Sequence, residues 1–253
     1  MTWWEALAVV AAGLGAGVLG STTGVASLVS FPVLLALGLP PVVANASNTI
    51  GMFPGALSGV IGFRAELREH PRVTAMILAA CGLGAVGGAA LLLALPPQAF
   101  ESVVPWLILF TTGLVAVQPK LARLLRSRRQ EPARMRHGMS PWTSLFAVLT
   151  GGYAGYFSAG SGVVMIAVLG LGTDLELRVV NALKTVAVLA ATAVASVVFI
   201  AAAMLDWTVV GLLSAGSLVG GYVGARIGRR LAPNLLRGLV VVAGVMLAVL
   251  LML

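Results

Sequence analysis

From Ala6 to Phe63 this chain runs for 58 residues without a single Asp, Glu, Lys or Arg. As one helix that run would be about 87 Å long against a hydrocarbon core of about 30 Å, so the chain must turn back inside or across a bilayer. The pattern is general: 59% of residues are hydrophobic and 9% are charged, which excludes a soluble globular domain. The apolar runs are too uniform for the alternating strands of a barrel, and in lipid every backbone group must be satisfied internally. An all-α, polytopic integral membrane protein is what remains.

Polar clusters and Pro/Gly punctuation divide the chain into apolar segments near 3–20, 24–39, 43–63, 73–95, 100–118, 141–157, 162–173, 179–203, 207–225 and 237–253. The start, Met1-Thr2-Trp3-Trp4-Glu5, lacks the basic region of a cleavable signal, so the first segment is expected to stay, with Trp3 and Trp4 as interface anchors. The formal charge of +8 resides in loops rather than on a nucleic-acid-binding face. Arg64, Arg68 and Arg72 form one basic loop. Lys120, Arg123, Arg126, Arg128, Arg129, Arg134 and Arg136 form a second, and Arg226, Arg229, Arg230 and Arg237 a third. The positive-inside rule puts all three in the cytoplasm and both termini outside, for a multi-pass protein of the inner (plasma) membrane.

Segment 162–173 is too short to cross alone and is joined to 141–157 only by Ser158-Ala159-Gly160-Ser161. We read the pair as a re-entrant hairpin, permitted where irregular backbone is buried in protein or lines a cavity, although a ten-crossing chain with the hairpins as full spans keeps the same loop orientation. Segments 3–20 and 24–39, joined at Ser21-Thr22-Thr23, read the same way. Each half then holds one hairpin plus three transmembrane helices, an odd number of crossings, so the second half enters from the opposite face. The expected organisation is two inverted-topology repeats, 1–118 and 141–253, joined by a basic cytoplasmic linker, 119–140.

The two halves share a rare polar element: Asn45-Ala46-Ser47-Asn48-Thr49 and Asn181-Ala182-Leu183-Lys184-Thr185. Asn and Lys are expensive in a bilayer, and at matching places in two halves they point to a duplicated transport site. At the hairpin tips, helices starting near Gly24 and Gly162 would aim free N–H groups and positive dipole ends at the centre, where an oxyanion can dock. The hydroxyls of Ser21, Thr22, Thr23, Ser158 and Ser161 would add donors, unless they serve only as helix caps. Lys184 either balances a bound anion or snorkels to the interface. Asn45, Asn48 and Asn181 can hold oxygen or a neighbouring backbone, and Thr49 and Thr185 can contact cargo or bond their own helices. Cys81 reads as an inert core thiol, and Tyr153 and Tyr156 as packing beside the second tip. No catalytic constellation, metal-ligand set or cofactor motif is written in the chain. A cation carrier is disfavoured because Glu101, Asp174, Glu176 and Asp206 all fall near segment ends.

On these residues the chain resembles the TauE/SafE family of sulfite exporters and organosulfur anion permeases. The resemblance rests on Ser30-Phe31-Pro32, Gly38-Leu39-Pro40-Pro41, Ala44 through Thr49, Gly152-Tyr153-Ala154-Gly155-Tyr156-Phe157 and Asn181 through Lys184, in that order. It covers nearly the whole chain, although the family's usual glycine run at the first tip is here Ser21-Thr22-Thr23-Gly24. It implies an inner-membrane exporter of sulfite, an organosulfonate or a related sulfur oxyanion. The rival from another class is a membrane scaffold or assembly factor in which the repeat is only architectural.

Overall fold

The computed structural model describes residues 1–128 and 139–227, together with 238, 241, 242, 244–246, 248 and 249 of the last segment. Ten helices are delimited: α1 (Trp3–Thr22), α2 (Ser27–Ala36), α3 (Pro41–Gly62), α4 (Arg64–Arg68), α5 (Pro71–Ala94), α6 (Pro97–Arg128), α7 (Pro141–Tyr156), α8 (Ser161–Gly172), α9 (Leu177–Ala202) and α10 (Trp207–Ile227). No strand occurs among the described residues. Among the described residues five helices (α1, α5, the 97–120 part of α6, α9 and α10) are long and apolar enough to cross a membrane. At 22 residues α3 is as long, but it carries Asn45, Ser47, Asn48, Thr49 and Ser58.

Local chemistry sets the helix starts. Thr2 and Glu5 form a reciprocal capping box on α1, with Thr2 N–H donating to Glu5 Oε2 at 2.8 Å. Ser140 accepts from Thr143 N–H at 3.1 Å to open α7, and Pro41, Pro71 and Pro141 stand in the first turns of α3, α5 and α7. The short helix α4 lies in the first basic loop, and α6 continues past Pro119 to Arg128, into the stretch read as the linker. Residues 129–138 of that linker and most of 228–253, with Arg229, Arg230 and Arg237, lie outside the described residues.

Setting aside the short α4, the long helix after the third of each half packs against the first and third helices of the other half: α10 on α1 and α3, α5 on α7 and α9. Glycine makes these approaches close. Gly13 lies against Leu213, Gly17 against Ser217 and Gly221, and Gly224 against Val18, so α1 and α10 run parallel. Gly51 against Leu213, Gly55 against Ser217 and Gly62 against Ala225 make α3 parallel to the same helix. In the other half Gly84 meets Val148 and Gly88 meets Gly152 and Tyr156, so α5 parallels α7. The matching third helices meet in the opposite sense. Gly59 of α3 touches Thr185 near the start of α9, while Ser47 Oγ near the start of α3 accepts from Asp206 N–H, just past the end of α9, at 3.1 Å.

The hairpins are unequal in their arms. The end of α1 reaches the depth of Gly224, three residues before the end of α10, whereas α2 has only 10 residues and α8 only 12. Those return arms are about 15 and 18 Å long, half a bilayer each. The chain turns through left-handed glycines, Gly24 at φ +82° and Gly160 at φ +73°, and the two turns touch. A Cβ on Gly24 would stand 2.9 Å from Gly162 Cα, and one on Gly162 2.7 Å from Gly24 Cα. Only glycine allows backbones so near.

Candidate functional site

The repeated polar element is buried in both halves. Asn45, Ser47, Asn48 and Thr49 on α3, and Lys184 and Thr185 on α9, are all screened from solvent, with Lys184 at 0% exposure. The lysine sits seven residues into α9, about 10 Å along it, and does not snorkel. Its Nζ instead donates to Ser21 O at 3.0 Å and Gly20 O at 3.2 Å, two carbonyls at the end of α1. Those oxygens have no further helical N–H to accept from, and they carry the negative end of the helix dipole, so a cation is the natural partner. Among the described residues no carboxylate pairs with Lys184, and the ion pairs are Met1 with Glu5 and Arg178 with Glu66.

Asn45 does the same for the other hairpin. Its Nδ2 donates to Tyr156 O, the last residue of α7, at 2.9 Å. The third helix of each half therefore satisfies the end of the other half's first helix, one with an ammonium and one with an amide. Neighbouring hydroxyls turn inward on their own helices: Thr49 to Asn45 O at 2.9 Å and Thr185 to Asn181 O at 3.0 Å. At the first tip Ser21 donates to Gly17 O and Val18 O, both at 3.1 Å, Thr22 to Val18 O at 2.8 Å and Thr23 to Leu19 O at 2.9 Å. Their protons are committed to α1, leaving their lone pairs for other partners.

At the second tip Ser161 Oγ donates to Ser158 O at 2.9 Å, and Ser158 Oγ lies 2.7 Å from Ser27 Oγ at the start of α2. Neither α2 nor α8 has a side-chain cap at its N-terminus, where Ala26 and Gly160 stand. Two positive helix ends thus begin beside the Gly24–Gly162 contact. Next to the α2 start a cavity is lined by Gly17, Gly20 and Ser21 of α1, by Ala26 before α2, by Met52 and Gly55 of α3, and by Thr185 and Val188 of α9, among others. A second, smaller cavity lies on the other side of Val188, bounded by Cys81, Thr150, Ala154 and Ser161. Asn48, Met52 and Gly55 share one face of α3, and Asn181, Lys184 and Val188 share one face of α9. Thr185, beside Lys184, and Met52, one turn after Asn48, therefore reach the first cavity from two antiparallel helices.

Several contributors are invisible to sequence motifs. Tyr153 OH donates to Ala159 O at 2.7 Å and lies 2.9 Å from Thr111 Oγ1, which braces the second tip against α6. Gln118 Nε2 donates to Thr23 O at 3.0 Å and braces the first. A glutamine inside an apolar segment is itself a signal, since an amide in lipid needs a partner. Buried Glu66 of α4 meets Arg178 Nε at 3.3 Å, tying the loop after α3 to the start of α9. Cys81 is buried against α7, its thiol 3.5 Å from Ala147 O, and no group of three or more His, Cys, Asp or Glu side chains suited to a metal occurs among the described residues.

The model of the family described as sulfite exporter TauE/SafE matches residues 9–251. A probable membrane transporter protein of Haemophilus influenzae is 26% identical over 239 residues, 93% of this chain and 89% of the relative. The probable membrane transporter protein ORF9 of a Sinorhizobium species is 24% identical over 238 residues, covering 92% and 87%. The probable membrane transporter protein YfcA of Escherichia coli K12 is 24% identical over 248 residues, covering 92% and 84%. No solved structure matches the chain.

Proposed function

This chain belongs to the TauE/SafE family of membrane transporters, and on that premise we propose that it exports a small sulfur-containing oxyanion, sulfite or an organosulfonate, bound between its two halves. The observation that carries this reading is the Lys184 ammonium: wholly buried, held by two carbonyls, with no carboxylate opposite it. Two of its three protons are used, so one donor and most of the charge stay available to an anion. The uncapped start of α2, at Ala26, adds a partial positive charge beside the cavity next to Ser21, and that of α8, at Ser161, one beside the neighbouring smaller cavity. Gly24, Gly162 and Ser158 belong to the lining we assign to cargo, with Asn48 and Asn181 one turn beyond Met52 and Thr185, while Ser21, Thr22, Thr23 and Ser161, whose protons are bonded to backbone carbonyls, shape the tips without donating to an anion. Asn45, Thr49 and Thr185 hold that lining in shape.

The opposed directions of α3 and α9 support two inverted repeats, with the site where they cross. With the basic loops in the cytoplasm and both termini outside, the potential favours export by about 2.3 kcal/mol per charge per 100 mV. Alternation of access would break the Glu66–Arg178 pair at one end and the Ser47–Asp206 bond at the other.

The test is sulfite flux in proteoliposomes under an imposed potential, wild type against Lys184→Met and Lys184→Arg. The reading requires flux in wild type, partial flux in the arginine variant and none in the methionine variant. Folded wild-type protein that moves no sulfite, thiosulfate or sulfonate would refute it and bring forward a scaffold role.

A further inference from the structure

The two arms of the second hairpin enclose a groove of about 440 Å³, well away from the cavities between the halves. Trp142 and Phe146 of α7 line it on one side, Ala167, Val168 and Leu171 of α8 on the other. Its rim is apolar and open: Trp142 is 72% exposed and Phe146 52%. At one end the groove becomes polar, where Ser140 Oγ lies 2.9 Å from Thr143 Oγ1 beside Gly172. Towards the tip, Tyr153 on the same face of α7 meets Phe110 of α6 edge-on at 6.0 Å. Phe100 meets Tyr156 in the same way, so α6 runs antiparallel to α7, from the tip towards the polar end of the groove. Thr111 of α6 packs on Gly160. Arg123 lies twelve residues beyond Thr111 and Gly172 twelve beyond Gly160, about 18 Å of helix in each case. On that register the exposed Lys120 and Arg123 come level with the polar end.

We infer that this groove seats an anionic phospholipid, with one acyl chain between α7 and α8 and the headgroup towards Lys120 and Arg123. The inference is independent of the cargo. An exposed apolar concavity on a membrane protein is covered by lipid, and this one has the volume of a ligand site rather than of a flat lipid-facing surface. Its length suits one chain: α8 is about 18 Å long, and one leaflet contributes about 15 Å of hydrocarbon. Trp142 stands at the polar end, where tryptophan marks the headgroup level. Charge selects the headgroup. The sequence from 119 to 140 carries seven bases and one acid, Glu131, against Asp174 and Glu176 just beyond Gly172. Arg178, next along the chain, is engaged by Glu66. A basic stretch beside the membrane attracts anionic lipid and does not discriminate among zwitterionic ones.

The experiment uses the full chain in phosphatidylcholine bilayers with Trp142 as its only tryptophan, through Trp3→Phe, Trp4→Phe, Trp106→Phe and Trp207→Phe, all at exposed positions. A sister protein carries Trp142→Phe instead of Trp106→Phe, so that Trp106, exposed on α6, reports a lipid-facing surface outside the groove. Fluorescence quenching is titrated with lipids brominated in their acyl chains, phosphatidylglycerol against phosphatidylcholine. We expect phosphatidylglycerol to reach Trp142 with at least about fivefold higher apparent affinity, the preference that one base near the surface supplies, and to show no preference at Trp106. Lys120→Gln with Arg123→Gln should bring the ratio at Trp142 to about one, and so should Ala167→Phe, which fills the groove and leaves the bases in place. Equal quenching of Trp142 by the two lipids, an equal preference at Trp106, or a preference that survives either change overturns the inference. The comparison of Trp142 with Trp106 decides the matter even if the further variants fail to assemble.

Discussion

Gly24 and Gly38 have the same backbone conformation, φ +82°, and quite different surroundings. A Cβ on Gly24 would lie 2.9 Å from both Gly162 C and Gly162 Cα, whereas one on Gly38 meets nothing within 4 Å. The pair isolates what the hairpin contact contributes. Alanine in the left-handed region costs about 1–2 kcal/mol, and Gly38→Ala should show only that. Gly24→Ala carries the same strain plus overpacking against backbone, which cannot rotate away, for about 1–3 kcal/mol more. The expected total is about 2–5 kcal/mol, with the excess over Gly38→Ala reporting the meeting of the two tips. SDS titration of each variant in mixed micelles, followed by circular dichroism, gives both differences from one protocol. The same two proteins in liposomes should separate further, Gly38→Ala transporting normally and Gly24→Ala poorly. If the two alanines destabilise equally, within about 0.5 kcal/mol, the tips are not in close contact and the site described between them is wrong.

Other expectations follow from single contacts. Asn45→Ala leaves the Tyr156 carbonyl at the end of α7 without its donor and should cost about 1–3 kcal/mol in the same titration; Asn45→Asp, which offers no donor, should cost at least as much. Arg178→Ala strands the buried Glu66 carboxylate, whereas exchanging the two charges, Glu66→Arg with Arg178→Glu, should restore much of the lost stability. Failure of the exchange would show that burial at α4, and not the pair, sets the effect. Cys81, 1% exposed, should react with a membrane-permeant maleimide only after unfolding; prompt labelling of native protein would contradict the α5–α7 packing.

The helices were legible because lipid leaves the chain few choices. The segments read near 43–63, 73–95, 141–157, 162–173 and 179–203 became α3, α5, α7, α8 and α9 within about two residues at each end, since Pro41, Pro71, Pro141 and the turn at Gly160 mark them chemically. The continuation of α6 to Arg128 was not legible: Pro119 and a run of bases read as a break, but Pro forbids only one helix bond, and a charged helix can project into water. Burial of Lys184 beside the tips was foreseeable from the cost of a cation in lipid. Its partners were not, because carbonyls at the end of a helix are written identically in every sequence. The roles of Thr111, Tyr153 and Gln118 depend on contacts spanning 42 and 95 positions, beyond the reach of any local pattern.

The crosswise capping of the hairpins also sets an order of events during synthesis. Ser21 O and Lys184 are 163 positions apart, so at about 5–20 residues per second the end of α1 precedes its cation by about 8 to 33 seconds. Throughout that interval two backbone oxygens sit near a membrane with no partner in the chain made so far. The first hairpin therefore reaches its full set of hydrogen bonds only once α9 has been made. The second hairpin has no such delay, because Asn45 is already in place when Tyr156 emerges.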